Sequence, residues 1–167
     1  SGKSRALMFL ALDKMLNQGV SKTIVAVPER SIGSSFASTK LSEHGFYAAW
    51  EVSPKRDLCS PGGEPQKVKQ FQEFLQSDDR ILVCTHATLR FAFQSLDTAA
   101  FNNVLVAIDE FHHVSADTGN QLGEVLRDVL RNSSAHIIAM TGSYFRGDSV
   151  PVLLPEDEAK FTHVVYN

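Results

Sequence analysis

Four short runs of apolar residues recur along the chain, and none of them alternates with polar positions. They cover residues 23–27, 81–84, 104–108 and 136–140. Continuous apolar runs of this length, rich in β-branched residues, are typical of strands that are covered on both faces. A further strand is considered over residues 46–52. The pattern therefore predicts a sheet whose central strands are fully buried.

Helical patterns separate these runs. The clearest has apolar residues at i, i+3, i+4, i+7 and i+8, which form one stripe of an amphipathic helix over residues 122–130. Residues 68–75 have nearly the same spacing. Residues 5–16 and 34–44 are also predicted as helices, each ending near a glycine that can cap it, Gly19 and Gly45. Strands that alternate with helices predict an α/β fold with a mainly parallel sheet and helices on both faces.

Polar residues follow each predicted strand directly. In an open parallel sheet, ligands bind beyond the carboxyl ends of the strands. We therefore expect one functional edge that carries Pro28, Thr85, Asp109 and Thr141.

Composition narrows the class of protein. The 167 residues fit one domain, and 43% of them are hydrophobic. A net charge of −3 excludes a uniformly basic surface but not a local basic groove. Cys59 and Cys84 form no CxxC pattern, which argues against a disulfide framework or a zinc ribbon. No membrane span or signal peptide is visible, and the cysteine pattern makes a reducing cytosol the expected compartment.

Two conspicuous side chains receive a structural interpretation. Trp50 lies in a strand-like stretch, so we expect it to pack in the core rather than to stack on a nucleic-acid base. Cys84 lies within an apolar run and is predicted to be a buried thiol.

The tripeptide Gly2-Lys3-Ser4 leads directly into a helical pattern. In the phosphate-binding loop GxxxxGK[ST], backbone N–H groups at a helix N-terminus cradle phosphates, the lysine reaches them, and the hydroxyl binds Mg²⁺. The first glycine and the preceding strand of that motif are missing here. The alternative is a polar N-terminus before an ordinary helix.

Asp109 and Glu110 end the third apolar run, and His112 and His113 follow. In a nucleotide hydrolase, an aspartate at this position holds Mg²⁺ and a neighbouring carboxylate activates the attacking water. A solvated strand end is the plain alternative. A zinc site built from Asp109, His112 and His113 is disfavoured, because adjacent histidines point apart and no HExxH spacing is present.

Six short motifs occur in order along the chain: GKS, VPERS, GG, THATL, DEFHH and TGS. Together they resemble the first motor domain of superfamily 2 helicases, the DExH/DEAD-box ATPases. The resemblance covers residues 1–146 and implies a three-layer RecA-like P-loop NTPase fold. Residues 147–167 then form a tail that leads toward a second motor domain.

The resemblance implies roles for the residues of the nucleotide site. Gly2, Lys3 and Ser4 correspond to the end of the Walker A motif and contact ATP. Asp109 and Ser4 are implied ligands of Mg²⁺, Glu110 is the implied catalytic base, and Lys3 and Asp109 assist catalysis. ATP and Mg²⁺ are therefore the expected cofactors.

The resemblance also implies coupling and nucleic-acid contacts. His112 fills the fourth position of the DExH box and is expected to link the nucleotide site to Thr141 and Ser143. Backbone contacts to DNA or RNA are expected at Pro28, Arg30, Gly62, Gly63, Thr85, His86 and Thr88. Hydroxyls, N–H groups and an arginine suit phosphates without reading bases. The alternative for Thr88 is a helix cap, and for the glycines a turn.

The chain departs from the full family pattern in several ways. It opens on SGKS without an initiator methionine, so we expect a segment of a longer protein that is truncated within Walker A. DEFH rather than DEAD favours the DExH group. The expected partners are nucleic acid and a second RecA-like domain of the same parent chain, with no membrane, and the isolated fragment is expected to be weakly active or inactive. The alternatives are another P-loop NTPase or a helicase-like scaffold domain.

Overall fold

The computed structural model describes residues 2–28, 36–38, 49–59, 63–110 and 121–140. Within these ranges, helices and strands alternate along the chain, with short 3-10 turns at Pro54–Arg56 and Thr98–Phe101. The helices are α1 (Gly2–Asn17), α2 (Glu64–Gln76), α3 (His86–Ser95) and α4 (Gln121–Asn132). The strands are β1 (Lys22–Val27), β2 (Ile81–Thr85), β3 (Val104–Ile108) and β4 (His136–Ala139).

The four described strands form one sheet in the order β2-β1-β3-β4, and each pairing among them is parallel. Val25 in β1 lies between Val83 of β2 and Ala107 of β3. The predicted strands are therefore confirmed, with boundaries that shift by one residue in β1, β2 and β4. Since parallel strands all point the same way, their carboxyl ends share one edge, which we call the carboxyl edge.

Alternate side chains of the sheet face opposite layers. Ile24 and Ala26 of β1 pack in a cluster with α2, α3 and α4, whereas Val25 and Val27 pack in a second cluster with α1 and Trp50. Both faces of β1, β2 and β3 are buried along their full length. This burial explains the continuous apolar runs and gives the predicted three-layer architecture.

The predicted amphipathic helices are confirmed as α2 and α4. In α4 the buried positions include Leu122, Leu126 and Val129, and in α2 Phe71 and Phe74 are fully buried. Phe101 packs against Phe71, with the two ring centroids 6.0 Å apart. Among the described helices, none is both long and apolar enough to cross a membrane.

Two predictions in the segment after β1 are wrong where the structure describes it. Ala37 and Ser38 lie outside any helix, so no helix runs continuously over residues 34–44. Residues 49–52 form no strand, although Trp50 makes an isolated bridge. The remaining residues of both predicted elements lie outside the described part of the chain. Trp50 and Cys84 are fully buried, which confirms their predicted place in the core.

Charged side chains join α2 to the amino end of β1, opposite the carboxyl edge. The Lys22 ammonium donates to the carbonyl oxygens of Ser77 and Asp79 and lies 4.9 Å from the centroid of the Phe74 ring. Burial lowers the pKa of Lys22, an effect that the Asp79 carboxylate opposes. Arg56 Nε donates to Asp79 Oδ2 at 2.7 Å, and this hydrogen bond holds the pKa of Asp79 below its usual value. The cluster fixes the end of α2 where its last carbonyls lack helical partners.

Gly19 reverses the chain between α1 and β1. Its φ is +73°, and Val20 N donates to Lys14 O across the turn. A Cβ added at Gly19 has no atom within 4 Å, so a side chain here causes no clash. The cost of a substitution comes only from the left-handed backbone conformation. We expect Gly19→Ala to lower the free energy of unfolding by about 1 kcal/mol and Gly19→Asn to lower it less. Urea denaturation of the 167-residue chain measures both, and equal stability of Gly19→Ala and wild type contradicts the expectation.

Candidate active site

The first turn of α1 lies toward the carboxyl edge of the sheet. Arg80, just before β2, donates from Nη2 to the carbonyl oxygens of Met15 and Val20 at 3.4 Å each. The C-terminal end of α1 therefore lies beside the amino end of β2. A helix of 16 residues spans about 24 Å, which is longer than a strand of five residues. Because α1 packs along the sheet in the opposite direction to the strands, its N-terminus reaches the carboxyl edge.

Gly2, Lys3 and Ser4 form this first turn. The N–H groups at a helix N-terminus and the positive end of the helix dipole suit a phosphate group. Ser4 is buried, with 4% of its surface exposed. The backbone of Lys3 is helical, and its side chain lies outside the described part of the structure.

Asp109 follows β3 at the same edge. Its amide N donates to the carbonyl oxygen of Ala26 in β1 at 2.8 Å, which extends the β1–β3 ladder by one bond. Its carbonyl oxygen accepts a hydrogen bond from Nε2 of His86 at 2.8 Å. The residue is 3% exposed. The backbone of Asp109 is thus held on both sides.

Glu110 has an unusual backbone. Its φ is +51°, in the left-handed region that residues other than glycine seldom adopt. The turn takes the chain out of the strand direction immediately after Asp109, and Glu110 is half-buried. Such conformations cost free energy and persist only where the surrounding structure holds the residue, which is a recurrent feature of active sites.

The corner between β2 and α3 also lies at the carboxyl edge. Thr85 caps α3, because its Oγ1 accepts a hydrogen bond from Thr88 N at 3.3 Å. The Thr88 hydroxyl is 3.2 Å from Thr85 Oγ1 and is fully buried. The cap residue of α3 is therefore Thr85 and not Thr88. The first N–H groups of α3 form a second helix N-terminus at this edge.

Comparison with known proteins decides the family of this domain. The family model described as DEAD/DEAH box helicase matches residues 1–147, which is most of the chain. The chain belongs to the DEAD/DEAH box helicase family. It is also 64% identical, over all 167 residues, to YeeB of Bacillus subtilis (strain 168), a protein named as a candidate ATP-dependent helicase.

A solved structure supports the fold of this helicase-family domain. The crystal structure of the Pyrococcus furiosus Hef helicase domain matches 95% of the chain with a TM-score of 0.58 and 16% sequence identity. The RecA-like fold is thereby confirmed. The chain spans 28% of YeeB and 29% of the Hef chain, so each relative is much longer than the segment it matches.

The remaining predicted site residues of the DEAD/DEAH box domain divide into two groups. Pro28 follows β1 at the carboxyl edge and is half-buried, and Gly63 caps α2 with an exposed backbone. The other group lies outside the described residues and comprises Arg30, Gly62, His112, Thr141 and Ser143. The predicted contacts of Pro28, Arg30, Gly62 and Gly63 with nucleic acid, and the predicted coupling through His112, Thr141 and Ser143, stay predictions.

The polar groups at the carboxyl edge fit a magnesium nucleotide. Buried Ser4 lies in the first turn of α1, and buried Asp109 directly follows β3. Hydroxyl and carboxylate oxygens are the hard ligands that Mg²⁺ prefers, and the helix N-terminus favours phosphate. Among the described residues, no three histidine, cysteine, aspartate or glutamate side chains cluster as a metal site. This donor set differs from the nitrogen and sulfur ligands of a structural zinc.

One contact at the carboxyl edge could not be predicted from the motifs. The resemblance implies a nucleic-acid contact for His86, which stays a prediction, and in the structure the His86 ring bonds to the backbone of Asp109. No spacing between residues 86 and 109 signals this contact. It depends on the sheet order, which places β2 and β3 on either side of β1.

Proposed function

We propose that this chain is the ATP-binding motor domain of a nucleic-acid-dependent ATPase of the DExH type. The parent protein couples ATP hydrolysis to unwinding of, or translocation along, nucleic acid. One observation carries the proposal. Asp109 and Glu110 directly follow a central strand, at the edge toward which α1 points its Gly2-Lys3-Ser4 turn. The two halves of a nucleotide-hydrolase site, far apart in sequence, share one edge.

The proposed chemistry divides among five residues. The N–H groups of Gly2 and Lys3 and the Lys3 ammonium bind the phosphates, and Ser4 and Asp109 hold Mg²⁺. Bound Mg²⁺ neutralises charge that develops on the phosphates during transfer. Glu110 orients the attacking water and accepts its proton. The half-buried position of Glu110, just outside the strand, leaves its carboxylate room to reach a water molecule.

Nucleic acid is the proposed polymer partner. The N-termini of α3 and α2, with their caps at Thr85 and Gly63, offer backbone N–H groups that can contact phosphates. Such contacts do not read bases, which suits a protein that moves along nucleic acid. A second RecA-like domain of the parent chain is the proposed partner that closes the nucleotide cleft. The name of YeeB, an ATP-dependent helicase candidate, supports the same assignment.

ATP turnover by the full-length protein tests this function. We expect single-stranded DNA, duplex DNA or single-stranded RNA to raise the turnover rate several-fold, because polymer contacts at the carboxyl edge align the two motor domains. The measurement is steady-state phosphate release with each polymer and without one. Turnover that is indifferent to every polymer indicates another kind of P-loop NTPase. ATP binding without any turnover indicates a scaffold.

A further inference from the structure

His86 makes a contact that crosses the sheet. It is the first residue of α3 and follows β2, whereas Asp109 follows β3. Since β1 lies between these strands, the two residues start about 10 Å apart, twice the spacing of neighbouring strands. The imidazole spans the end of β1, and its Nε2–H donates to the carbonyl oxygen of Asp109 at 2.8 Å.

The carbonyl group that accepts this bond belongs to the peptide unit that joins Asp109 to Glu110. The orientation of that peptide unit sets the φ of Glu110, which is +51°. The Asp109 amide on the other side is already fixed by its bond to Ala26. The His86 bond therefore lies where it can hold the left-handed turn and, through the turn, the direction of the Glu110 side chain.

We propose that His86 is a positioning residue that holds Glu110 for the hydrolytic step and links it mechanically to α3. The proposal rests on the proposed function, because it gives Glu110 the role of catalytic base. A shift of α3 when its N-terminus contacts nucleic acid moves the His86 ring, and the ring moves the peptide that precedes Glu110. The link joins the polymer contacts to the nucleotide site within a single domain.

The chemistry of the bond suggests the substitutions for a test. A carbonyl oxygen only accepts hydrogen bonds, so residue 86 must donate. His86→Ala removes the donor and leaves space for added imidazole. His86→Gln supplies an amide N–H on a side chain of similar reach. His136→Gln is the matched control, because His136 is half-buried at the amino end of β4, on the opposite edge of the sheet.

The experiment uses the full-length protein with a saturating polymer that stimulates it. We expect His86→Ala to lower kcat by about tenfold to hundredfold, as a small misplacement of a catalytic group does, with little change in the KM for ATP. The affinity for a fluorescent ATP analogue stays near that of wild type. Deuterium uptake at the amide of Glu110, measured without nucleotide, rises. His86→Gln and added imidazole restore much of kcat, and His136→Gln behaves as wild type.

Two results overturn the proposal. One is a His86→Ala protein with unchanged kcat and unchanged deuterium uptake at Glu110. The other is a loss of kcat and ATP affinity in equal measure that neither glutamine nor imidazole restores, which indicates a general structural role. A different result is expected if the proposed function itself is wrong. In that case wild type responds to no polymer, and deuterium uptake alone reports whether His86 holds the turn.

Discussion

Replacement of Glu110 by glutamine is expected to abolish ATP turnover and to preserve ATP binding. Glutamine keeps the length of the side chain but cannot accept the proton of the attacking water. A positioned general base contributes about 10²–10⁴-fold to a rate, and we expect a loss of that size in single-turnover hydrolysis by the full-length protein. Binding is preserved because the proposed phosphate and Mg²⁺ contacts come from other residues, Lys3, Ser4 and Asp109.

The Glu110→Gln substitution is expected to change the chemistry of the side chain without changing the backbone. The residue follows Asp109 in a turn with a φ of +51°, and glutamine does not change the backbone preferences of that position strongly. Glu124→Gln is a matched control, since Glu124 is an exposed carboxylate in the first turn of α4. Steady hydrolysis by a Glu110→Gln preparation free of contaminating ATPase contradicts the assignment of the base. A loss in both variants points instead to a general effect of charge.

The buried strands could be predicted because sequence alone carries their signal. Residues 104–108 are apolar at every position, and both faces of β3 are covered, by α1 on one side and by α2, α3 and α4 on the other. Burial on both faces demands that pattern, so the pattern identifies the strand. The carboxyl edge follows from it, because parallel strands end together. The positions of Pro28, Thr85 and Asp109 were therefore predictable.

The wrong helix prediction shows where local patterns fail. Ser38 donates through its hydroxyl to Val52 O at 3.2 Å and accepts from Val52 N at 2.9 Å. These bonds fix the Ser38 side chain against a segment 14 residues away, a tertiary contact where the pattern of residues 34–44 predicted a helix. Because Val52 is 14 residues from Ser38, the pattern of residues 34–44 alone could not predict this contact.

The backbone conformation of the candidate site could not be predicted from the sequence either. Residue types with left-handed preferences, glycine and asparagine, signal turns, but a glutamate gives no such signal. The φ of Glu110 results from what surrounds it, including the bond from His86 to the preceding carbonyl. The motifs thus predict which residues serve the site, and tertiary contacts determine how they are held.

Trp50 offers the largest expected effect on stability. Its side chain is fully buried between the segment at Phe36 and the layer that contains α1, and its Nε1 donates to Phe36 O at 2.9 Å. Trp50→Ala removes the largest buried side chain of that layer and is expected to lower the free energy of unfolding by about 3–5 kcal/mol. Chemical denaturation of the 167-residue chain, followed by far-ultraviolet circular dichroism, measures the change.

Trp50→Phe separates packing from the hydrogen bond. Phenylalanine fills most of the space but leaves Phe36 O without its donor, so we expect a smaller loss of about 1–3 kcal/mol. The pair of variants also decides between the two roles considered for this residue. If Trp50 is a core residue, both variants are less stable than wild type, and Trp50→Ala loses more stability than Trp50→Phe. A base-stacking residue instead weakens binding of single-stranded nucleic acid, with stability unchanged. Since Trp50 has no exposed surface on which a base can stack, unchanged stability of Trp50→Ala contradicts the packing described here.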